Sequence, residues 1–159
     1  MHNKRIYNLS IATDKIKRYC SVQDRCQWDV VKKMNAWWGL KDKTKNHLLE
    51  MLITENYINE ERFSQSFCRG KFKIKNWGKR KISNELKQKK ISNICIDKGM
   101  EEIKEDEYLK VLDKLFIQKR DKVTDKNHFV RKTKIANFLI QRGFESFLVW
   151  KKMKDLKDK

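Results

Sequence analysis

The chain has 159 residues, 39 of them Lys or Arg and 21 Asp or Glu, for a formal net charge of +18, with no proline and five glycines. That composition excludes collagen-like, linker-like and disordered chains, and no window approaches the ~18 apolar residues of a membrane span. A charge of this size points to a polyanionic partner, nucleic acid above all, because releasing counterions from phosphates drives binding.

The amino-terminal Met1-His2-Asn3-Lys4-Arg5 is not followed by the apolar run of a secretory signal. A cytoplasmic location is expected, where thiols stay reduced. Cys20, Cys26, Cys68 and Cys95 are then expected to be apolar thiols inside a core.

Dense Lys, Glu and Leu without proline favours helix throughout, and the expected fold is all-α. In chain order, residues 11–22, 26–38 and 44–53 read as three helices, with a longer connection over 39–43. In the next stretch Phe63, Phe67, Gly70, Ile74 and Trp77 recur every three or four residues, which is one helix face. Arg62, Arg69 and Lys73 share one flank of it, while Phe72 falls on the far side, where burial does not readily explain an aromatic. Ile82 and Leu86 mark a second helix that stops near Lys90. Ser92 is placed to cap a third, with Ile91 and Ile96 as a hydrophobic staple and Met100 and Ile103 further along.

This pattern repeats 53 residues later. Ile82, Leu86, Ile91, Ile96, Met100 and Ile103 correspond to Ile135, Leu139, Phe144, Val149, Met153 and Leu156. An amphipathic helix precedes each set, over 63–77 and over 108–119. Val30 and Met34 answer to Ile82 and Leu86 at an offset of 52, so the front of the chain is a third, diverged copy. The expected organisation is an extension over 1–10, then three-helix repeats over 11–56, 57–104 and 105–159. A row of such repeats is expected to be elongated and curved, since each packs mainly on its neighbours.

No enzymatic constellation is visible. His2, His47 and His128 stand apart, there is no Gly-rich phosphate loop and no CxxC, and the spacing of Cys20 and Cys26 matches no common zinc site. No catalytic residue, metal or cofactor is expected. The pairs Glu60-Glu61 and Glu101-Glu102 read as helix-start or solvated charges. Glu85 lies four residues from both Lys81 and Lys89, the spacing of a surface ion pair. Trp77 is expected in the core.

The most distinctive stretch runs Asn56-Tyr57-Ile58-Asn59-Glu60-Glu61-Arg62-Phe63, with Phe67 and Arg69 four and six residues on. It is followed by Gly78-x-x-x-Ile82-x-x-Glu85-Leu86. This stretch closely resembles the RecX family of recombinase regulators over about 56–103, and the three-repeat layout extends the likeness to most of the chain. The resemblance implies a non-catalytic protein of three tandem three-helix repeats. It implies binding to the RecA-type recombinase filament on DNA, with inhibition of ATP hydrolysis, strand exchange and filament growth. DNA contact within the filament, a monomeric state and no membrane association are expected with it.

Ten basic residues and one acid, Glu85, lie between Arg69 and Lys90. The candidates for contacting recombinase or DNA are therefore Arg62, Arg69, Lys71, Lys73, Lys75, Lys79, Arg80 and Lys87. The alternative is an independent helical DNA-binding protein that uses one repeat as a helix-turn-helix-like reader.

Overall fold

The structure is a computed structural model that describes residues 6–156. Met1–Arg5, on which the reading of the amino terminus and of His2 falls, lie outside the described residues, as do residues 157–159. Among the described residues there are nine helices and no strand. They are α1 (Leu9–Val22), α2 (Gln27–Asn35), α3 (Asp42–Thr54), α4 (Glu60–Lys73), α5 (Lys79–Gln88), α6 (Asn93–Met100), α7 (Glu105–Lys122), α8 (His128–Gln141) and α9 (Ser146–Met153).

The helix starts are chemically marked. Asn8, Asn59 and Asn127 each accept a hydrogen bond from the backbone N–H three residues on, at 2.9, 3.0 and 3.0 Å. Ser92 caps α6 by accepting from Cys95 N–H at 3.3 Å. Each bond satisfies one of the donors that a helix start leaves unpaired.

The 53-residue correspondence holds down to the turns. After α5, Ile91 N–H donates to Leu86 O at 3.1 Å and Lys90 N–H to Lys87 O at 3.0 Å. After α8, Phe144 N–H donates to Leu139 O at 3.2 Å and Gly143 N–H to Ile140 O at 2.9 Å. This is the Schellman arrangement, closed by an apolar residue that packs back on the helix just ended. Ile91 and Phe144 fill that role and are both buried.

The helices pack in threes: α1, α2 and α3 on one another, α4, α5 and α6 likewise, and α8 on both α7 and α9. The repeat-related residues form the core. Ile82, Leu86, Ile96, Ile103, Ile135, Leu139, Val149, Met153 and Leu156 are buried, as are Val30 and Met34 of the first repeat. The second and third repeats share one continuous core, whereas the first has its own, built on Ala12, Ile16, Val30, Met34, Leu48 and Leu52. Cys26, at the start of α2, belongs to the shared core and links the two.

At the end of α4, Phe72 and Ile74 differ from the sequence reading. Phe72 is buried rather than outward: its ring meets Tyr108 at 5.9 Å between centroids, and Tyr108 meets Phe144 at 5.1 Å. The far side of α4 is covered by the following repeat. Ile74, placed on the apolar face by spacing, is 77% exposed. The helix ends at Lys73 and the chain turns through Asn76 (φ 54°), so helical spacing no longer governs there.

The second and third repeats meet backbone to backbone. Gly78 N–H donates to Arg142 O at 2.7 Å and Arg80 N–H to Gly143 O at 3.0 Å. Alongside, the buried Tyr108 hydroxyl donates to Glu145 Oε2 at 2.6 Å and accepts from Lys79 N–H at 3.1 Å. Burial first, then the Glu145 carboxylate, push the Tyr108 phenol far above its ordinary range. The first and second repeats meet through ion pairs, Asp29–Lys89 at 2.6 Å and Asp24–Arg62 at 2.8 Å.

Candidate functional site

The eight candidate cations do not form one patch. Lys71 and Lys75 line an open groove of about 270 Å³ between α4 and the α1–α2 connection, shared with Phe67, Gly70 and Ile74. Lys71 is held there by aromatic faces, its Nζ 4.8 Å from the Trp77 ring and 5.4 Å from Phe67. A second groove, about 380 Å³, lies on α5 and α6 and gathers Lys79, Arg80 and Lys87 with Ser83 and Asn84. Lys79 is partly committed, pairing with Glu105 at 2.9 Å over the Tyr108 ring. Arg80 and Lys87 are exposed.

Three of the eight lie in neither groove. Arg62 is drawn into the junction with the first repeat, where it pairs with Asp24 and donates to the carbonyls of Asn56 and Tyr57 at 3.1 and 3.2 Å. Arg69 reaches Glu102 at 3.3 Å, tying α4 to the end of α6. Lys73 is exposed on the flank it was expected to share with Arg69. Trp77 is half-buried against the shared core, between Lys71 and the Lys81 ammonium at 4.3 Å.

Glu85 does not make the ion pair its spacing suggested. Lys81 lies over Trp77, and Lys89 is taken by Asp29 of the first repeat. Burial raises the Asp29 carboxyl, but the Lys89 ammonium and the Cys26 N–H outweigh it, so its pKa sits below the ordinary value. The Asp29–Lys89 pair has no signal in local spacing, because its members are 60 residues apart.

A third groove, about 430 Å³, was missed altogether. It lies where α2 faces the α5–α6 turn and is lined by Trp28, Val31, Lys32, Glu60, Lys89 and Lys90 among others. Trp28 is 36% exposed, with the Lys32 and Lys89 ammonium groups 4.8 and 4.7 Å from its ring. One available signal was Lys90 itself, which the repeat offset pairs with Gly143.

Cys20, Cys26 and Cys68 are buried reduced thiols and Cys95 is half-buried. Burial pushes Cys20 up to about 11 and Cys26 and Cys68 to about 12. Among the described residues no three His, Cys, Asp or Glu side chains converge as a metal would require, and no helix is long and apolar enough to cross a membrane.

Residues 59–100, which carry α4 to α6, match the family model described as RecX, second three-helix domain. The chain is 30% identical over 137 residues to "Regulatory protein RecX" of Streptococcus uberis, an overlap of 82% of this chain and 50% of that protein. It is 29% identical over 91 residues to "Regulatory protein RecX" of Lactobacillus johnsonii, covering 57% of this chain and 33% of that one. The second repeat is a RecX-family three-helix domain. The chain spans a third to a half of the length of these two RecX relatives. The fold agrees with a solved structure titled "Crystal structure of regulatory protein RecX". The TM-score is 0.81 at 22% identity, over 93% of this chain and 73% of that one. The three-helix repeats expected from the sequence are thus the RecX fold.

Proposed function

We propose that this chain is a non-catalytic regulator that binds the RecA-type recombinase filament on DNA and restrains its ATP hydrolysis, strand exchange and filament growth. The observation that carries the reading is the RecX-family second domain joined by backbone hydrogen bonds to a further three-helix repeat, with cationic grooves on α4 and on α5–α6. Acting in the cytoplasm as a monomer, repeats over 11–56, 57–104 and 105–159 would form an elongated, curved row that touches more than one recombinase subunit. Contacts made at once by separate repeats multiply through effective concentration, so one molecule constrains several subunits.

The test is a titration against a recombinase on single-stranded DNA, reading ATP hydrolysis. Inhibition is expected below one chain per recombinase subunit. No inhibition at one-to-one, together with tight binding to bare duplex, would refute the reading in favour of an independent DNA-binding protein.

A further inference from the structure

The turn between the second and third helices has the same hydrogen bonds in the last two repeats, yet its left-handed residue differs. Gly143 holds it at φ 99°, and Lys90 holds it at φ 62°. That region crowds an L side chain and suits glycine. The first repeat also turns on a glycine, Gly39 at φ 84°. A lysine kept in a strained conformation that a glycine would relieve argues for work done by its side chain. Lys90 is exposed and lines the groove containing Trp28.

We propose that this groove binds a single strand of nucleic acid, with one base stacked on Trp28 and the adjoining phosphates taken by Lys32 and Lys90. Trp37 is 8% exposed, as a core tryptophan should be, whereas Trp28 is 36% exposed at the mouth of an open groove. An aromatic face beside lysines is the sequence-tolerant way to hold a strand, since every base has a π-face and every linkage a phosphate. Lys89 is anchored by Asp29 at 2.6 Å and stays on the ring. Lys32 is exposed and can swing from the ring to a phosphate, uncovering the face it covers. Glu60, the acid in the groove, is half-buried with its Oε2 unpaired, and burial raises its pKa, which favours the neutral form beside a phosphate. A duplex hides its base faces in its own stack, so a base reaches Trp28 only from a single strand. The site stands without any recombinase, because its ligand is the strand itself.

The experiment is fluorescence anisotropy of the full chain with a short labelled oligothymidylate, compared with an abasic oligomer of the same length and with polyglutamate. Removing the bases from the probe, or Trp28→Ala in the protein, should each weaken binding about tenfold, and Trp28→Phe should restore most of it. Lys90→Gly should weaken binding about threefold and reduce the slope of log affinity against log salt by about 0.7. The same change should leave Tm unaltered or raise it by up to about 3 °C, because relief of the turn offsets the greater entropy of an unfolded glycine. Loss of binding without loss of stability separates a ligand contact from a structural role. Equal affinity for the abasic oligomer, or an unaltered affinity in Trp28→Ala, overturns the proposal. Polyglutamate binding as tightly as the oligonucleotide would make the groove an acidic-peptide surface and overturn it too. The recombinase ATPase assay with wild-type chain is a separate readout, so failure here leaves the filament reading to stand or fall alone.

Discussion

Gly78→Ala is the sharpest perturbation of the contact between the second and third repeats. Gly78 has φ −75°, so alanine suits its backbone conformation, and the effect comes from space alone. A Cβ there would lie closer than 3.0 Å to Gly143 C, Gly143 O and Phe144 N, all backbone atoms that no rotamer change can move. The α8–α9 turn must back away, weakening the Gly78–Arg142 and Arg80–Gly143 hydrogen bonds. Two such bonds contribute about 1 kcal/mol each, and overpacking adds about 2 kcal/mol. The smaller entropy of an unfolded alanine offsets about 1 kcal/mol. The net loss is about 3 kcal/mol, or about 9 °C in Tm for a chain of this size. Gly70→Ala is the control. Its Cβ meets nothing within 4 Å and the site is inside α4, so helix propensity should stabilise it by about 0.5–1 kcal/mol. Calorimetry of both variants decides. Gly78→Ala within about 1 kcal/mol of wild type, or Gly70→Ala destabilised, would refute the packing argument.

Tyr108→Phe should cost about 1–3 kcal/mol in denaturant unfolding, because it leaves Glu145 and the Lys79 N–H unpaired at a buried junction; a neutral effect would mean that water replaces the hydroxyl. The depressed Asp29 pKa gives stability that is present above its unfolded value, near pH ~4, and lost as pH falls through the lower folded value. Asp29→Asn should flatten that acid limb, and an unaltered limb would assign it to other carboxylates. Iodoacetamide at neutral pH should mark Cys95 before Cys20, Cys26 and Cys68, whose thiols burial holds protonated; peptide mass spectrometry showing another site first would contradict this. Arg80→Glu with Lys87→Glu should weaken filament binding at unchanged Tm, whereas Arg62→Glu should lower Tm because its partners are Asp24 and two carbonyls. Parallel losses of Tm in both would remove the α5–α6 groove from the site.

The helices and the core inside each repeat were legible because helical spacing records which face of a helix is covered by its immediate partners. Ile82, Leu86, Ile135 and Leu139 are all fully buried, as their 53-residue correspondence required. Burial between repeats leaves no such trace. Phe72 is covered by Tyr108, 36 residues on, and Lys89 finds Asp29, 60 residues back. The candidate cations were a composition signal, which counts charges without placing them. Composition could not separate Arg62, locked between repeats, from Lys75 and Arg80 in open grooves. The Trp28 groove was missed because its walls come from two repeats, and half of its evidence is a backbone angle.

The division into a private core for the first repeat and a shared one for the other two also governs how the chain comes apart. The first repeat is held to its neighbour by Cys26 and by ion pairs that salt and acid weaken. Parting the second and third repeats exposes a continuous apolar interior. Native-state hydrogen exchange should therefore resolve two foldons, with the amides of Ile16, Leu48 and Leu52 opening together at lower free energy than those of Ile82, Leu139 and Val149. Added salt should lower the opening free energy of the first repeat before it affects that of the other two.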